Sequence, residues 1–473
     1  MRNKFTYLMA ASVVVAGTVS DATAEDANDS LVEEGRYIAR AADCMSCHIG
    51  EDGEPFAGGK FIETPLGNIM ATNITPSAKY GIGKYSEGDL KAVLRNGKAR
   101  GRKLYPAMPY PSYHTMTDAD ITALYAYLRT VEPVEKAPQG KTDLDFPFNI
   151  RPVMYIWNAI AIDDTQRSGS GDAQVARGEY LVDTLGHCGD CHTPRNALMM
   201  PEGDRYLGGA MVQGWHAPNL TSDPISGLGN WRAEDIAEYL KTGHAMDTAQ
   251  AAGPMAEAIH FSTSHLKDED LMAMALYLKT VPALETEGQS QPVTASVEER
   301  VPVSHTFGSI REELAEALAK ADMPADEKLF LTQCAACHGV DGSGQTAAYY
   351  PALKDNGGLR RANAANLINV IAHGSGHSTL YRAPVMPGFS DDLNVDQMAE
   401  VANYVRTEFG GQPAADLTGA DVDRILNGKP DLPFIIRYAA AFAWLGILVV
   451  LGLFVWVCWA IWRRRNKKVE PIA

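Results

Sequence analysis

Six of the seven cysteines in this chain fall into three Cys-x-x-Cys-His pentapeptides: Cys44, Cys47 and His48; Cys188, Cys191 and His192; Cys334, Cys337 and His338. The spacing suits one chemistry. Two thiols separated by two residues can reach the two vinyl groups on one edge of a haem and form thioethers, and the histidine that follows comes to lie under the iron. The six cysteines are therefore read as covalent anchors, and His48, His192 and His338 as proximal ligands, of three haem c groups. From 7 Cys and 12 His in 473 residues, about 0.003 such pentapeptides would arise by chance, so three are a signal. A zinc site needs cysteine pairs that complete one tetrahedral set. Here each pair meets its histidine at once, and successive pairs lie about 145 residues apart.

The far side of each iron is either open or closed by a second side chain. Lys103-Leu104-Tyr105-Pro106-Ala107-Met108-Pro109-Tyr110-Pro111 sets a methionine among prolines, and Ala383-Pro384-Val385-Met386-Pro387-Gly388-Phe389 does the same. Ala252-Gly253-Pro254-Met255 offers a third, with Met246, His244 and His260 as competitors. Met108, Met255 and Met386 are assigned as sixth ligands; His114, His265, His373 and His377 are read as structural or surface residues. Methionine ligation raises the potential. Three closed sites suit passing electrons, not binding oxygen or peroxide. No Gly-x-Gly-x-x-Gly after a strand, triad or hydride site can be named, so no catalytic residue is assigned and substrate oxidation is expected on another chain.

These groups need a scaffold repeated three times. Each repeat is expected to open with a helix ending in the haem motif (Glu33 to Cys47, Ala176 to Cys191, Ala325 to Cys337) and to close with an amphipathic one. Thr117 to Val131 and Lys267 to Val281 are nearly the same text, Thr117 is a candidate N-cap, and Asn394 to Phe409 takes the closing role in the third repeat. Shorter helices are expected between them, at Glu87 to Asn96, Ala233 to Thr242 and Ala364 to His373. The fold class is all-α: three tandem cytochrome c-type domains at 28–134, 174–284 and 321–412, joined by linkers 135–173 and 285–320. Asn73-Ile74-Thr75-Pro76 and Asn219-Leu220-Thr221 echo each other, as haem-propionate donors or as plain turn residues. Pro65 and Pro351 are candidates for aiming a carbonyl at a proximal histidine. The aromatic stretch Phe146 to Trp157 is expected to pack on its own domain, or else to offer a partner a docking surface.

The two ends set the location. A charged start, an apolar run from Tyr7 to Val19 and Ala22-Thr23-Ala24 form a secretory signal peptide over 1–24. A tether over 413–433 leads to an uncharged apolar stretch, read as a transmembrane helix over 436–462, and Arg463, Arg464, Arg465, Lys467 and Lys468 follow in a cytoplasmic tail over 463–473. Positive residues stay inside, so the haem domains face the periplasm across a bacterial inner membrane. Cys458 lies in that helix and reads as an apolar residue. The formal net charge of −16 excludes nucleic acid as a partner.

At these residues the chain resembles the tri-haem cytochrome c subunit of membrane-bound periplasmic dehydrogenases acting on alcohol, fructose, gluconate, sorbitol or aldehydes. The most specific parts are Gly178-Glu179-Tyr180-Leu181, Gly186-His187-Cys188-Gly189-Asp190-Cys191-His192-Thr193-Pro194-Arg195-Asn196, Trp215-His216-Ala217-Pro218-Asn219-Leu220-Thr221 and the Met108 loop. The resemblance implies a catalytic subunit with a flavin or quinone cofactor, allows a small third subunit, and implies a relay of electrons to ubiquinone. The alternative is the electron-transfer subunit of a molybdenum hydroxylase-type dehydrogenase for aldehydes or N-heterocycles. The tether alone suggests that electrons leave from the third domain.

Overall fold

The computed structural model describes residues 24–162, 171–245, 249–294, 307–344, 350–354, 356–376, 385–413, 416–428 and 432–466. The expected signal peptide, apart from Ala24, and the tail beyond Asn466 lie outside them.

In the first two repeats the opening and closing helices cross at a glycine. Helix Ala24–Ala41 meets Asp118–Thr130 at Gly35, where a Cβ would come 1.9 Å from the Ala123 carbonyl oxygen. Gly178 in Ala173–Glu179 meets Asp268–Thr280 in the same way, 2.0 Å from the Ala273 oxygen. Only a residue without a side chain lets the backbones approach this closely. Thr117 caps its helix by accepting from the Asp120 N–H. In the third repeat no such glycine exists, and Ala325–Gln333 packs on Val395–Glu408 through rings instead. Phe330 lies 5.3 Å from Tyr404 and 5.1 Å from Phe409 between centroids.

The opening helices do not run unbroken into the haem motif, as the sequence suggested. The first stops at Ala41, and the motif sits on its own turn, Cys44–His48, after Asp43 at φ 49°. The second has one more residue between its tyrosine and its first cysteine (Tyr180 to Cys188 against Tyr37 to Cys44). The extra residue is absorbed in a π-helical turn, Tyr180–Leu185, before His187 at φ 39° and the turn Gly189–His192. A π turn takes in one residue without changing which face the helix buries.

Small antiparallel hairpins, not foreseen from the sequence, carry the loops between. Phe61–Thr64 pairs with Gly67–Met70, which also pairs with Asp143–Leu144 of the first linker. Ala210–Val212 pairs with Trp215–Ala217 in the second repeat. The middle helices are Glu87–Asn96, opened by a Ser86–Asp89 capping box, Ala233–Thr242 and Ala365–His373.

Repeats one and two share a single apolar core, from Ile38 and Leu124 through Leu181 to Met274 and Leu278, whereas the third has its own around Phe330, Ile368 and Val405. Polar bonds cross the first pair reciprocally. Tyr37 donates to Asp270 at 2.5 Å and accepts from the Lys267 N–H, while Tyr180 donates to Asp120 and accepts from the Thr117 N–H. Arg177 adds a two-pronged bond to Asp270, at 2.9 and 2.7 Å. Burial pushes the Asp270 carboxyl up, but Arg177 and Tyr37 outweigh it and hold it below its usual value.

The first linker packs on its own repeat, with Tyr110 donating to Asn158 at 2.8 Å and its ring edge-on to Trp157. It also reaches elsewhere. Trp157 Nε1 donates to the Leu198 carbonyl of the second repeat, and the Phe146 ring lies 5.4 Å from that of Trp444. Trp444 belongs to the long helix Ala439–Asn466, whose apolar span Ala439–Arg464 has none of its length buried inside the chain. At 1.5 Å per residue such a helix exceeds the roughly 30 Å of a bilayer's hydrocarbon core.

Gly35→Ala is expected to cost about 2–3 kcal/mol by overpacking the crossing, while Gly88→Ala, on the exposed start of a helix with open space around it, gains about 0.5–1 kcal/mol; thermal unfolding of the two variants checks the contrast. Asp270→Asn is expected to cost about 1–2 kcal/mol, discounted because Arg177 is part exposed. Because folding depresses the Asp270 pKa, this difference is present above the ordinary carboxylate value of 3.8 and fades as pH falls through the lower folded value. Unfolding curves from pH 7 to pH 3 measure it.

Candidate functional site

The three haem motifs sit on short turns whose cysteines and histidines all line one cavity, Cys191 being exposed as well. In repeats one and two the residue before the first cysteine, Asp43 or His187, is left-handed and breaks the helix there. The Ser46 hydroxyl donates to the Asp43 carboxylate. In the third repeat Ala325–Gln333 runs up to Cys334 and the turn Ala335–His338 follows directly.

Each proximal histidine is gripped from behind by a backbone carbonyl. His48 Nδ1 lies 2.6 Å from Thr72 O, His192 Nδ1 2.7 Å from Pro218 O, and His338 Nδ1 3.0 Å from Pro351 O. A carbonyl only accepts, so Nδ1 carries the proton and Nε2 is left with its lone pair for iron. Burial draws the His192 pKa down to about 4 and lowers those of His48 and His338, which keeps the rings neutral at neutral pH. Pro351 supplies the accepting carbonyl expected from the sequence. Pro65 does not: it sits in the turn between the first two strands, and Thr72 takes the role.

The carbonyls are themselves held in place. Asn73 Oδ1 accepts from the Thr75 N–H and hydroxyl at 2.8 and 2.7 Å, and its Nδ2 donates to Val134 O just past the closing helix. Asn219 repeats this on Thr221 at 2.8 and 2.7 Å, donating to Leu284 O at 2.6 Å. Of the two readings of this echo, the structure favours the turn residue, since these buried groups are saturated inside the chain. Three glycines tie the other end, with Gly58, Gly209 and Gly344 donating their N–H to the carbonyls of His48, His192 and His338. All three have positive φ, and a Cβ on Gly58 would meet the Thr72 carbonyl carbon at 2.3 Å. Sequence reasoning missed Thr72, Pro218 and these glycines. The first two stand directly before the Asn-x-Thr echo, a usable signal, whereas the glycines follow their histidines at unequal distances.

All twelve residues assigned from the sequence line one connected cavity of about 2800 Å³. That is several times the roughly 300–1,000 Å³ of an ordinary small-molecule pocket. Met108, Met255 and Met386 are half-buried in its wall. Of the competitors for the second site, His244 bonds Gln250 through Nδ1 at 2.8 Å and His260 lies edge-on to Phe261, and neither lines the cavity. Met246 lies outside the described residues, as does His377. His114 bonds Arg95 O at 2.6 Å, His265 bonds His260 O at 3.1 Å, and His373 is exposed at a helix end.

The donor set fits a haem better than a bare ion. Among the described residues no three His, Cys, Asp or Glu gather into a metal cage. Burial pushes the thiols of Cys44, Cys47, Cys188 and Cys334 up to about 12, so they are neutral thiols in an apolar space rather than thiolate ligands.

A family model described as "Cytochrome c" matches residues 32–132, 175–282 and 327–408. The chain is 39% identical, over 98% of its length and 97% of the relative's, to a fructose dehydrogenase cytochrome subunit of Gluconobacter japonicus. It is 37% identical, over 91% of each chain, to the cytochrome c subunit of a quinone alcohol dehydrogenase of Gluconacetobacter polyoxogenes. It is 38% identical, over 86% of its length and 93% of the relative's, to a gluconate 2-dehydrogenase cytochrome c subunit of Pantoea cypripedii.

Asn219→Ala strips the Thr221 N–H and hydroxyl of their acceptor and Leu284 O of a donor. It is expected to cost about 2–3 kcal/mol, read as a lower denaturant midpoint; an unchanged midpoint would show that the bracket does not hold the loop.

Proposed function

The chain is a tri-haem member of the cytochrome c family, an electron-transfer subunit of a dehydrogenase complex, and on that premise we propose that it carries electrons from a periplasmic flavin- or quinone-dependent subunit to ubiquinone in the inner membrane. The observation that carries the proposal is the single cavity lined by all three Cys-x-x-Cys-His sets, a continuous apolar space for three redox groups within one chain. The likeness to fructose, alcohol and gluconate dehydrogenase subunits supports a sugar, sugar acid or alcohol as the substrate of the partner.

In this reading Cys44 and Cys47, Cys188 and Cys191, and Cys334 and Cys337 hold the three haems by thioethers. His48, His192 and His338 would each offer iron a ring nitrogen, and Met108, Met255 and Met386 would each offer it a sulfur. Bound there, each haem supplies a reversible one-electron couple. The chain's residues do the rest. The carbonyls of Thr72, Pro218 and Pro351 fix each imidazole and make it a stronger donor. The methionine sulfurs would favour the reduced iron, and apolar walls such as Leu124, Leu278 and Ile371 exclude water.

The anchor helix Ala439–Asn466, with Arg463, Arg464 and Arg465 at its end, supports a span with the haem domains outside the cytoplasm. The tether no longer singles out the third domain as the exit to quinone, because Phe146 places the first repeat's linker against the same helix.

Purification from detergent-solubilised membranes tests the proposal. Three covalent haems per chain, a co-purifying dehydrogenase subunit, substrate-driven haem reduction and reoxidation by a ubiquinone analogue are expected. Haems that a co-purifying subunit cannot reduce, or that ubiquinone cannot oxidise, would reject it. Met108→Ala, Met255→Ala and Met386→Ala should each abolish one methionine-to-iron charge-transfer band, and a variant that keeps all three bands removes that residue from the ligand set.

A further inference from the structure

One cluster in the cavity is used by none of these roles. The hairpin Ala210–Val212/Trp215–Ala217 of the second repeat is bolted to the third. The His216 N–H donates to Asn366 Oδ1 at 2.8 Å, Asn366 Nδ2 returns to His216 O at 2.8 Å, and Asn369 Nδ2 donates to Gly214 O at 3.0 Å. Arg361 lies five residues before Asn366, its own carbonyl clamped by Arg406 at 3.1 Å. Its side chain lines the cavity together with His192, His216, Trp231 and Tyr239, all of the second repeat.

Among the described residues the Arg361 guanidinium makes no hydrogen bond or ion pair. Burial lowers its pKa to about 10, with only Tyr239 acting against that, and it in turn lowers His192 and His216. On the same cavity wall His216 Nδ1 and Trp231 Nε1 are buried without a partner, and the Trp231 ring meets that of Tyr239 edge-on at 6.0 Å. An indole N–H can only donate, and a guanidinium offers a fork of donors and no acceptor. Leaving such groups without a partner is costly, most of all for the charge. Together they call for an anion with several oxygens. The first repeat lacks the set: Met70 stands where His216 does, and Tyr85 where Trp231 does.

We infer that Arg361, reaching across from the third repeat, is a positioning residue for the second repeat's haem, and that with His216 Nδ1 and Trp231 Nε1 it receives that haem's propionate carboxylates. The second haem site is then completed by the third domain. A fixed cation beside one haem raises that haem's potential alone, and seating the propionates across the boundary locks the two domains in one orientation. This rests on the tri-haem reading, and on Met255 only as a marker of which haem is which.

The test is a potentiometric titration of the full-length chain carrying three haems. Arg361→Gln should lower the midpoint of one haem and leave the other two in place, with Arg361→Lys restoring most of the shift. Trp231→Phe, which keeps the ring and removes the donor, should move the same haem in the same direction by less. Combining either with Met255→His identifies the shifted haem as the second. Three unmoved midpoints, a shift in a different haem, or a failure of lysine to rescue would each overturn the inference. If Arg361→Gln fails to take up three haems, the lysine and phenylalanine variants still decide it. A shift that appears in the unaltered protein when inorganic phosphate is withdrawn would mean a free anion occupies the seat, which also overturns it. If Met255→His moves no haem, the ligand assignment has failed and the Arg361 result stands by its own shift.

Discussion

The hydrogen bond from an imidazole Nδ1–H to a backbone carbonyl, made three times over, is the constraint around which each repeat is arranged. A histidine that follows two anchored cysteines can still rotate about its own side-chain bonds. The carbonyl removes that freedom and settles which nitrogen is left for iron. For the carbonyl to do this its own peptide must not move. In the first two repeats an Asn-x-Thr bracket ties it to the chain just past the closing helix. The closing helix is placed in turn by the glycine crossing at Gly35 or Gly178. A short backbone approach between two helices is thereby connected, step by step, to the angle of a ring.

The three repeats are not equal partners. The first two are fused through one apolar core and a reciprocal exchange of tyrosine and aspartate, Tyr37 with Asp270 and Tyr180 with Asp120. The third keeps its own core and touches the second through amide side chains on backbone, a thinner and more polar contact. Groups joined by a common core move as one body. The second and third repeats depend instead on a few directional bonds and on what fills the space between them.

The sequence was most legible where chemistry or capping fixes the residue type. The three Cys-x-x-Cys-His motifs could be read as a count of haem c sites, and the middle helices and Thr117 as a cap were equally plain. It was least legible where the backbone does the work. Any residue can present a carbonyl, so Thr72 left no mark of its own and Pro65 was a reasonable but wrong choice. The breaks at Asp43 and His187 are left-handed positions filled by residues that do not demand them, and the short hairpins carry too few residues to alternate visibly. The π turn is a one-residue length difference that only a comparison of the two repeats exposes.

The contact between Phe146 and Trp444 has a mechanical side. A body hung from a membrane by one flexible stalk can swivel about it and present any flank to the lipid. Here the stalk leaves from the third domain, and the linker of the first rests against the stalk's own helix. Two separated points of support define a line, and rotation is confined to that line's axis. The haem-binding part thus has a restricted tilt against that helix before any partner binds, which shortens the search that a docking dehydrogenase subunit must make.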